Sequence, residues 1–213
     1  MAKIKITGTG SYLPTKVLSN AYFADRLDTT DDWIKQRVGI EQRHIVDGES
    51  LLDMMLPAAR QAMEVANITP DQIDLIIVAT VSSDKTFPSA ACQLQAALGV
   101  ANESPAFDLN AACAGFIYAF NVAIKFLEDD SAKTVLLVGA DAFSNLVDWD
   151  DRNTCILFGD GAGAMVLQQS AQSQVLATKL HSNGACGDKL YVNNAIWHDS
   201  QAQYVKMEGK EVF

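Results

Sequence analysis

Apolar and polar positions follow two different periods along this chain. Short runs rich in β-branched residues predict six strands, at residues 4–8, 74–79, 106–109, 134–139, 164–167 and 175–180. The run 74–79 is almost wholly apolar, which is typical of a parallel strand covered by helices on both faces. Gly8 and Gly10 are predicted to end the first strand.

Segments with a helical period separate these strands. Thr30 offers an N-cap oxygen to a short helix that Gly39 ends, and Pro70 begins another short helix. Longer helices are predicted at residues 88–99 and 114–127. A helix capped by Ser50 is predicted to turn one face inward, formed by Leu51, Met55, Ala58, Ala59, Ala62 and Val65. This alternation predicts an α/β fold, layered around a mixed and mainly parallel sheet.

The composition excludes several classes of protein. Of the 213 residues, 49% are hydrophobic and 20% are charged, which suits a folded chain with a sizeable core. No apolar run approaches the roughly 18 residues of a membrane-spanning helix, and the first residues lack the apolar region of a signal peptide. The net charge of −10, from 16 basic and 26 acidic residues, argues against a nucleic-acid binder. We therefore expect a cytoplasmic chain with no membrane or nucleic-acid partner.

The spacing of the cysteines argues against a metal site. The chain has four of them, Cys92, Cys113, Cys155 and Cys186, and no two form a C-x-x-C pair. Zinc ribbons and dithiol redox motifs need such pairs, so we expect reduced thiols and no bound metal.

Cys113 has the sequence setting of a nucleophile. It lies between a predicted strand and the predicted helix 114–127, in a run of small residues that includes Ala112 and Ala114. The N–H groups and the dipole at the start of a helix stabilise a thiolate, and small neighbours leave room for a substrate. The residues alone leave two interpretations open, a catalytic thiol or a small buried hydrophobic side chain.

Five sequence blocks, in order along the chain, resemble 3-oxoacyl-(acyl-carrier-protein) synthase III, the initiating condensing enzyme of bacterial fatty acid synthesis. The block that contains Cys113 runs from Asp108 to Phe116, and the others lie at residues 8–14, 30–44, 87–93 and 158–164. The last block is rich in glycine but lacks the Lys-Ser/Thr of a P-loop. We expect its glycines to allow close packing of the backbone instead.

The resemblance implies the thiolase fold, in which two similar α/β halves pack together, usually in a homodimer. It implies a thiolase-like half at residues 1–172, then connecting strands and the start of the second half at residues 173–213. It further implies that Cys113 takes an acyl group from acyl-CoA, with acetyl-CoA the expected donor. The acyl-enzyme would then condense with malonyl-acyl-carrier protein by decarboxylation. No permanently bound cofactor is implied, because the coenzyme A thioester is a substrate.

The resemblance also implies a coenzyme A site. Trp33 matches the residue that stacks on the adenine, Arg152 matches the residue on the other face of the adenine, and Arg37 matches a phosphate contact. Thr29 and Met207 match positions that line the coenzyme A tunnel. Without the resemblance, Trp33 fits a core aromatic residue and Arg37 fits a solvated helix residue equally well.

Phe87 and Phe158 match walls of the acyl pocket, and Phe87 is expected to reach across the dimer. The family's catalytic triad is Cys-His-Asn, and the resemblance puts its His and Asn beyond residue 213. None of the three histidines present, His44, His181 and His198, matches the catalytic position. We therefore expect these 213 residues alone to be inactive in condensation.

Two other functions remain open from the sequence. One is a thiolase-fold synthase of another pathway, of the secondary-metabolite or 3-hydroxy-3-methylglutaryl-CoA type. The other is a non-catalytic half-fold that dimerises or binds an acyl-carrier protein. Because carrier proteins are acidic, a docking site should be basic. The basic candidates are Lys35, Arg37, Arg43, Lys206 and Lys210.

Overall fold

The computed structural model describes residues 4–101, 103–172, 175–194 and 204–212. The strands are β1 (Ile4–Tyr12), β2 (Lys16–Ser19), β3 (Gln42–Ile45), β4 (Leu75–Ala79), β5 (Ala106–Leu109), β6 (Thr134–Ala142), β7 (Asp160–Gln169), β8 (Leu190–Tyr191) and β9 (Lys206–Met207). The α-helices are α1 (Asn20–Ala24), α2 (Asp31–Val38), α3 (Leu51–Ala66), α4 (Ala90–Leu98), α5 (Gly115–Glu128) and α6 (Gly209–Val212). No helix among these residues is both long enough and apolar enough to cross a bilayer.

The chain divides into two compact units. The first unit comprises residues 1–13, 48–141 and 161–180, and the second comprises residues 14–47, 142–160 and 181–213. The division of the chain at residue 172 stays a prediction, and residue 173 lies outside the described part.

The first unit contains a five-stranded sheet in the order β1-β7-β6-β4-β5. Strand β4 is parallel to both β5 and β6, whereas β1 is antiparallel to β7. Every residue of β4 is buried, as its apolar sequence predicts for a strand covered on both faces. This mixed sheet with its helices confirms the predicted α/β class.

Helix α5 covers one face of this sheet. Its buried residues Ala119, Ala123 and Leu127 pack in one cluster with the odd-numbered residues of β4 and β6, such as Ile77 and Leu137. The even-numbered residues of the same strands face the other way and are also fully buried. Helices α3 and α4 pack on the sheet as well, with α3 against β1 and α4 against β4 and β5.

The predicted end of the first strand at Gly8 is wrong, because β1 continues to Tyr12 through an irregularity in its pairing with β7 between Ile6 and Gly8. The two glycines do not break the strand. They let α3 lie directly on it, since a Cβ at Gly8 would be 2.0 Å from the backbone oxygen of Ala62. A Cβ at Gly10 would be 2.1 Å from the oxygen of Ala58.

The helix boundaries follow the predicted caps. Thr30 accepts a hydrogen bond from the backbone of Trp33 at the start of α2, and Gly39 ends that helix with a φ of 71°. Ser50 begins α3, where it forms a reciprocal capping box with Asp53. The predicted inward face of α3 is buried except at its last member, since Val65 is 60% exposed.

Residues 175–180 do not form the predicted strand. Val175 packs against the cluster that includes α5, and the side chain of Asn121 donates to the hydroxyl of Thr178. Leu176 is 86% exposed, so the apolar run is neither paired with a strand nor buried as its sequence predicts.

The second unit has its own small core. Its fully buried members include Phe23, Ile34 and Cys155, and they pack with partly buried aromatic residues such as Trp33 and Phe158. Two antiparallel pairs of strands, β2 with β3 and β8 with β9, belong to this unit.

Candidate active site

Cys113 lies at the carboxyl edge of the parallel strands in the first unit. It belongs to a short 3₁₀ turn, Ala112–Ala114, that connects the end of β5 to the start of α5, and its side chain is exposed. The backbone N–H of Thr80, just after β4, donates to the carbonyl of Leu109 at the end of β5. Ligands of open α/β sheets bind at this edge, so the thiol is in the part of the unit where a substrate would be expected.

The backbone turns sharply immediately before the nucleophile. Ala112 has a φ of 45°, in the left-handed region that residues with a Cβ rarely adopt. The side-chain oxygen of Asn110 accepts a hydrogen bond of 3.1 Å from the N–H of Ala112, which supports this conformation. Strained backbone of this kind is concentrated at functional sites, where the surrounding structure holds a side chain in a required place.

The start of α5 is free of anionic side chains among the described residues. Its first turn contains no acidic residue, and no side chain caps it. The positive end of the helix dipole therefore lies next to Cys113 without a local carboxylate to oppose it. Ala112 and Ala114 are exposed beside the thiol, as the prediction of room for a substrate requires.

The other cysteines lack this combination. Burial, with a smaller contribution from the nearby carboxylate of Asp151, raises the pKa of the Cys155 thiol to about 11. Cys92 is partly buried and donates to the carbonyl of Ala106 over 3.4 Å. Cys186 is exposed but lies in a short turn, where its sulfur accepts a hydrogen bond from Asn183.

The unit that carries Cys113 has no histidine in its sequence. In the second unit, Nδ1 of His44 lies 2.6 Å from the carbonyl of Pro14 and donates to it, which agrees with the predicted structural role. His181 also belongs to the second unit, and His198 lies outside the described residues.

Three of the predicted coenzyme A residues meet in the second unit. The guanidinium carbon of Arg37 lies 3.9 Å from the centre of the Trp33 ring, and that of Arg152 lies 5.1 Å from it. Arg37 reaches the ring because it follows Trp33 by four positions on α2. Arg152 is held by Asp28, since its Nη1 donates to the backbone and side-chain oxygens of that residue. A flat aromatic ring with two guanidinium groups beside it suits a ligand with a planar base and phosphates.

Thr29 precedes this helix, and its hydroxyl oxygen is buried with no hydrogen-bond partner among the described residues. Met207 lies on β9, opposite Leu190, and is half-buried. Both residues therefore lie in the same unit as Trp33, and their role in a coenzyme A tunnel remains a prediction.

The two predicted acyl-pocket residues differ in their surroundings. Phe158 is partly buried and packs against Phe143, with 4.3 Å between the ring centres. Phe87 is 82% exposed in the loop between β4 and α4. Their roles as pocket walls remain predictions.

Of the five basic residues considered for a carrier-protein docking site, only Arg43 is buried. It is only 4% exposed, and it donates to the carbonyls of Leu18 and Ile156 and to the side chain of Asn20. Burial lowers the pKa of its guanidinium. A side chain used to join backbone segments inside the unit is not available to an acidic partner. Lys35 remains exposed but is engaged by Asp31 and Glu41.

The glycines of residues 158–164 bear out the expected close packing at two positions. A Cβ at Gly159 would be 3.1 Å from the Cβ of Arg43, and one at Gly161 would be 3.1 Å from the side chain of Leu13. At Gly163 the space is open.

The carboxylates around the loop that carries Phe87 are functional candidates that the sequence patterns do not reveal. Asp108 and Asp141 both accept backbone hydrogen bonds at the carboxyl edge of the sheet. The sequence signal that could have identified these two residues is a charged side chain within an otherwise apolar strand. Such a side chain is rarely buried without hydrogen-bond partners. Among the described residues, no group of three or more His, Cys, Asp or Glu side chains is arranged to hold a metal ion.

Comparison with known proteins agrees with the geometry. A family model described as 3-oxoacyl-(acyl-carrier-protein) synthase III matches residues 107–184, which include Cys113 and α5. The beta-ketoacyl-(acyl-carrier-protein) synthase III of Coxiella burnetii is 44% identical over 215 aligned positions, which cover all of this chain and 67% of that protein.

Solved structures of similar proteins share the fold. The 3-oxoacyl-(acyl-carrier-protein) synthase III of Aquifex aeolicus superposes with a TM-score of 0.91 at 43% identity, over 98% of this chain and 66% of that one. The priming beta-ketosynthase of the R1128 polyketide pathway superposes with a TM-score of 0.93 at 31% identity, over 99% of this chain and 65% of that one. This chain thus spans about two thirds of the length of these relatives. It belongs to the beta-ketoacyl-(acyl-carrier-protein) synthase III family, the condensing enzymes that initiate fatty acid synthesis.

Proposed function

We propose that Cys113 is the nucleophile that accepts an acyl group from a coenzyme A thioester. Its thiolate attacks the carbonyl carbon, the bond between that carbon and the sulfur of coenzyme A breaks, and the released coenzyme A thiolate takes a proton from solvent. The observation that carries this proposal is the exposed thiol at the junction of β5 and α5, directly after the left-handed Ala112.

The nucleotide end of the donor is assigned to the second unit. Trp33 stacks on the adenine, Arg152 flanks the adenine, and Arg37 contacts a phosphate. Their mutual distances of 3.9 and 5.1 Å support this assignment, because stacking and phosphate binding need a ring and cations side by side. Thr29 and Met207 line the tunnel in this proposal.

Phe87 and Phe158 form walls of the acyl pocket, and the protein acts as a cytoplasmic homodimer in which Phe87 reaches the partner protomer. The exposure of 82% at Phe87 supports this arrangement, because a large aromatic side chain gains stability when a second surface covers it. The acyl acceptor is malonyl-acyl-carrier protein, and acetyl-CoA is the primary donor.

Condensation requires groups that the unit around Cys113 does not supply. Decarboxylation of a malonyl thioester develops an enolate, which needs hydrogen-bond donors. No histidine belongs to that unit, and none of the three histidines of the chain matches the catalytic position of the family. We therefore expect this chain to be acylated at Cys113 without forming a 3-oxoacyl product.

Intact-mass measurement after incubation with acetyl-CoA tests the acyl transfer. A Cys186→Ser background removes the other exposed thiol. In that background we expect a single adduct of about 42 Da, the mass of an acetyl group in place of a hydrogen. Cys113→Ser should abolish the adduct. An adduct that persists in Cys113→Ser would contradict the assignment.

The degree of similarity favours fatty acid synthesis over a polyketide role. Identity is 44% to the Coxiella synthase III and 31% to the R1128 priming ketosynthase. The fold does not separate the two classes, since the TM-scores to the Aquifex synthase III and to the R1128 ketosynthase are 0.91 and 0.93. A series of acyl-CoA donors of increasing chain length distinguishes the two, since a synthase of the first kind should transfer acetyl faster than longer chains.

A further inference from the structure

The loop that carries Phe87, residues 80–89, is anchored by carboxylates at its beginning, middle and end. It connects β4 to α4, and we refer to it as the Phe87 loop. The three carboxylates belong to Asp141, Asp84 and Asp108, none of which has a role in the proposed acyl transfer. All of them lie in the first unit.

Asp141, near the end of β6, fixes the beginning of the loop. Its Oδ1 accepts hydrogen bonds from the backbone N–H of Val81 at 2.8 Å, the hydroxyl of Ser82 at 2.8 Å and the hydroxyl of Thr80 at 3.1 Å. One carboxylate oxygen thus holds three consecutive residues, which leaves the chain little freedom as it leaves β4.

Asp108, on β5, fixes the end of the loop. Its Oδ2 accepts from the N–H of Ala90 at 2.7 Å, and its Oδ1 accepts from the N–H of Ala91 at 2.8 Å. The first N–H groups of a helix have no partner within that helix, and α4 has no acidic residue of its own in its first turn. A carboxylate from a different element therefore supplies the negative charge that a helix start favours.

Asp84 ties the middle of the loop to α3. Its two oxygens accept from the backbone N–H of Leu51 at 3.0 and 3.3 Å, at the first residue of that helix. Residues 80–82, 84 and 90–91 are thus attached to the sheet and to two helices, whereas Phe87 between them is left projecting and exposed.

We propose that Asp108 and Asp141 are positioning residues for Phe87, and that by fixing the Phe87 loop they set the length of the acyl chain accepted in the pocket that Phe87 enters across the dimer. The inference rests on the proposed function, which makes Phe87 a pocket wall. The ring of Phe87 excludes a longer acyl chain only when the loop backbone that carries it cannot move aside. The strand that carries Asp108 ends at Leu109, and Cys113 follows four residues later in the 3₁₀ turn.

The test compares three carboxylate substitutions of the same kind. Asp108→Asn and Asp141→Asn remove the charge of the loop anchors with little change in size. Asp74→Asn is the matched control, because Asp74 also accepts two backbone hydrogen bonds, from Lys133 and Thr134, but at the opposite end of the same parallel strands. Wild type and Phe87→Ala complete the set.

Hydrogen exchange on the 213-residue chain reports on the loop itself. We expect amide exchange in the peptide 82–88 to accelerate about tenfold or more in Asp108→Asn and Asp141→Asn, and less than twofold in Asp74→Asn. Unchanged exchange in both loop variants would overturn the positioning role.

The rate of Cys113 acylation by hexanoyl-CoA, divided by the rate with acetyl-CoA, reports on selectivity. A general loss of stability lowers both rates and leaves this ratio unchanged. We expect the ratio to rise about fivefold or more in the two loop variants and in Phe87→Ala, and to stay at the wild-type value in Asp74→Asn. A loosened loop with an unchanged ratio would overturn the role in chain selection, whereas absence of acylation in wild type would count against the proposed function instead.

Discussion

The exposure and the chemistry of single residues in this protein depend on where the backbone holds them. Cys113 and Cys155 have the same side chain, yet Cys113 is exposed at a helix start while Cys155 is completely buried. Ala112 adopts a left-handed conformation at a cost of about 1–2 kcal/mol, which the surrounding turn must offset. The strain at Ala112 was not predictable from the sequence, because an alanine carries no signal for a left-handed conformation.

The buried thiol of Cys155 predicts a loss of stability at high pH. Its pKa is raised to about 11 by burial, so the folded protein keeps a proton that the unfolded chain releases near pH 9. The unfolded state therefore binds fewer protons between pH 9 and 11, and the free energy of unfolding falls as the pH rises through that interval. Urea titrations at pH 8, 9, 10 and 11 should show a shallower decline in Cys155→Ala than in wild type. Parallel declines in the two proteins would contradict the prediction.

Helix α3 and strand β1 of the first unit pack so closely that one methyl group added to a glycine of the strand would disturb the contact. Helix α3 lies directly on β1 because Gly8 and Gly10 have no Cβ. The capping signals of Ser50 and Thr30 act within a few residues, and so the starts of α3 and α2 were predictable. The length of β1 was not, because the reason for its glycines lies some 50 residues further along the chain.

Gly10→Ala should separate α3 from β1. The new Cβ would lie 2.1 Å from a backbone oxygen, which cannot rotate away as a side chain can. We expect the free energy of unfolding to fall by about 3 kcal/mol, measured by urea denaturation. Gly163→Ala on the adjacent strand β7 is the control, since nothing lies within 4 Å of that Cβ, and it should change stability by less than about 1 kcal/mol. Equal effects in the two variants would contradict the packing argument.

Helix α2 presents Trp33 and Arg37 together, and this pairing predicts how the donor is recognised. Trp33→Ala should raise the acetyl-CoA concentration needed for half-maximal acylation of Cys113 about tenfold, because a base stacked on an aromatic ring is worth about 1–3 kcal/mol. Acetyl-N-acetylcysteamine has the thioester but no nucleotide, and its rate should not change. Equal losses with both donors in Trp33→Ala would show general damage and contradict the assignment.

At the scale of the whole molecule, the fold class and the family were predictable from the sequence. The tertiary contacts that hold charged residues and loops in place were not. The apolar strands and the block around Cys113 depend on short stretches of sequence, which is why the α/β class and the family could be predicted. The burial of Arg43, the absence of a strand at residues 175–180 and the three carboxylates around the Phe87 loop depend on tertiary contacts. A charged residue in a sequence shows only that it needs a partner or water, and the fold decides which of these it obtains.

The division of the site residues between the two units also belongs to this scale. Cys113 and Phe87 belong to the first unit, whereas Trp33, Arg37, Arg152 and Phe158 belong to the second. Each unit has its own buried core, which fixes its share of these residues independently.

Locating the acetyl group on the protein is the most direct test of the central claim. The wild-type chain is incubated with acetyl-CoA, digested at low pH to preserve thioesters, and mapped by tandem mass spectrometry. We predict that the label lies on Cys113 and is absent from Cys186, which is also exposed, and from the buried Cys155. An unlabelled Cys113 beside a labelled Cys186 would contradict the claim that the junction of β5 and α5 creates the nucleophile.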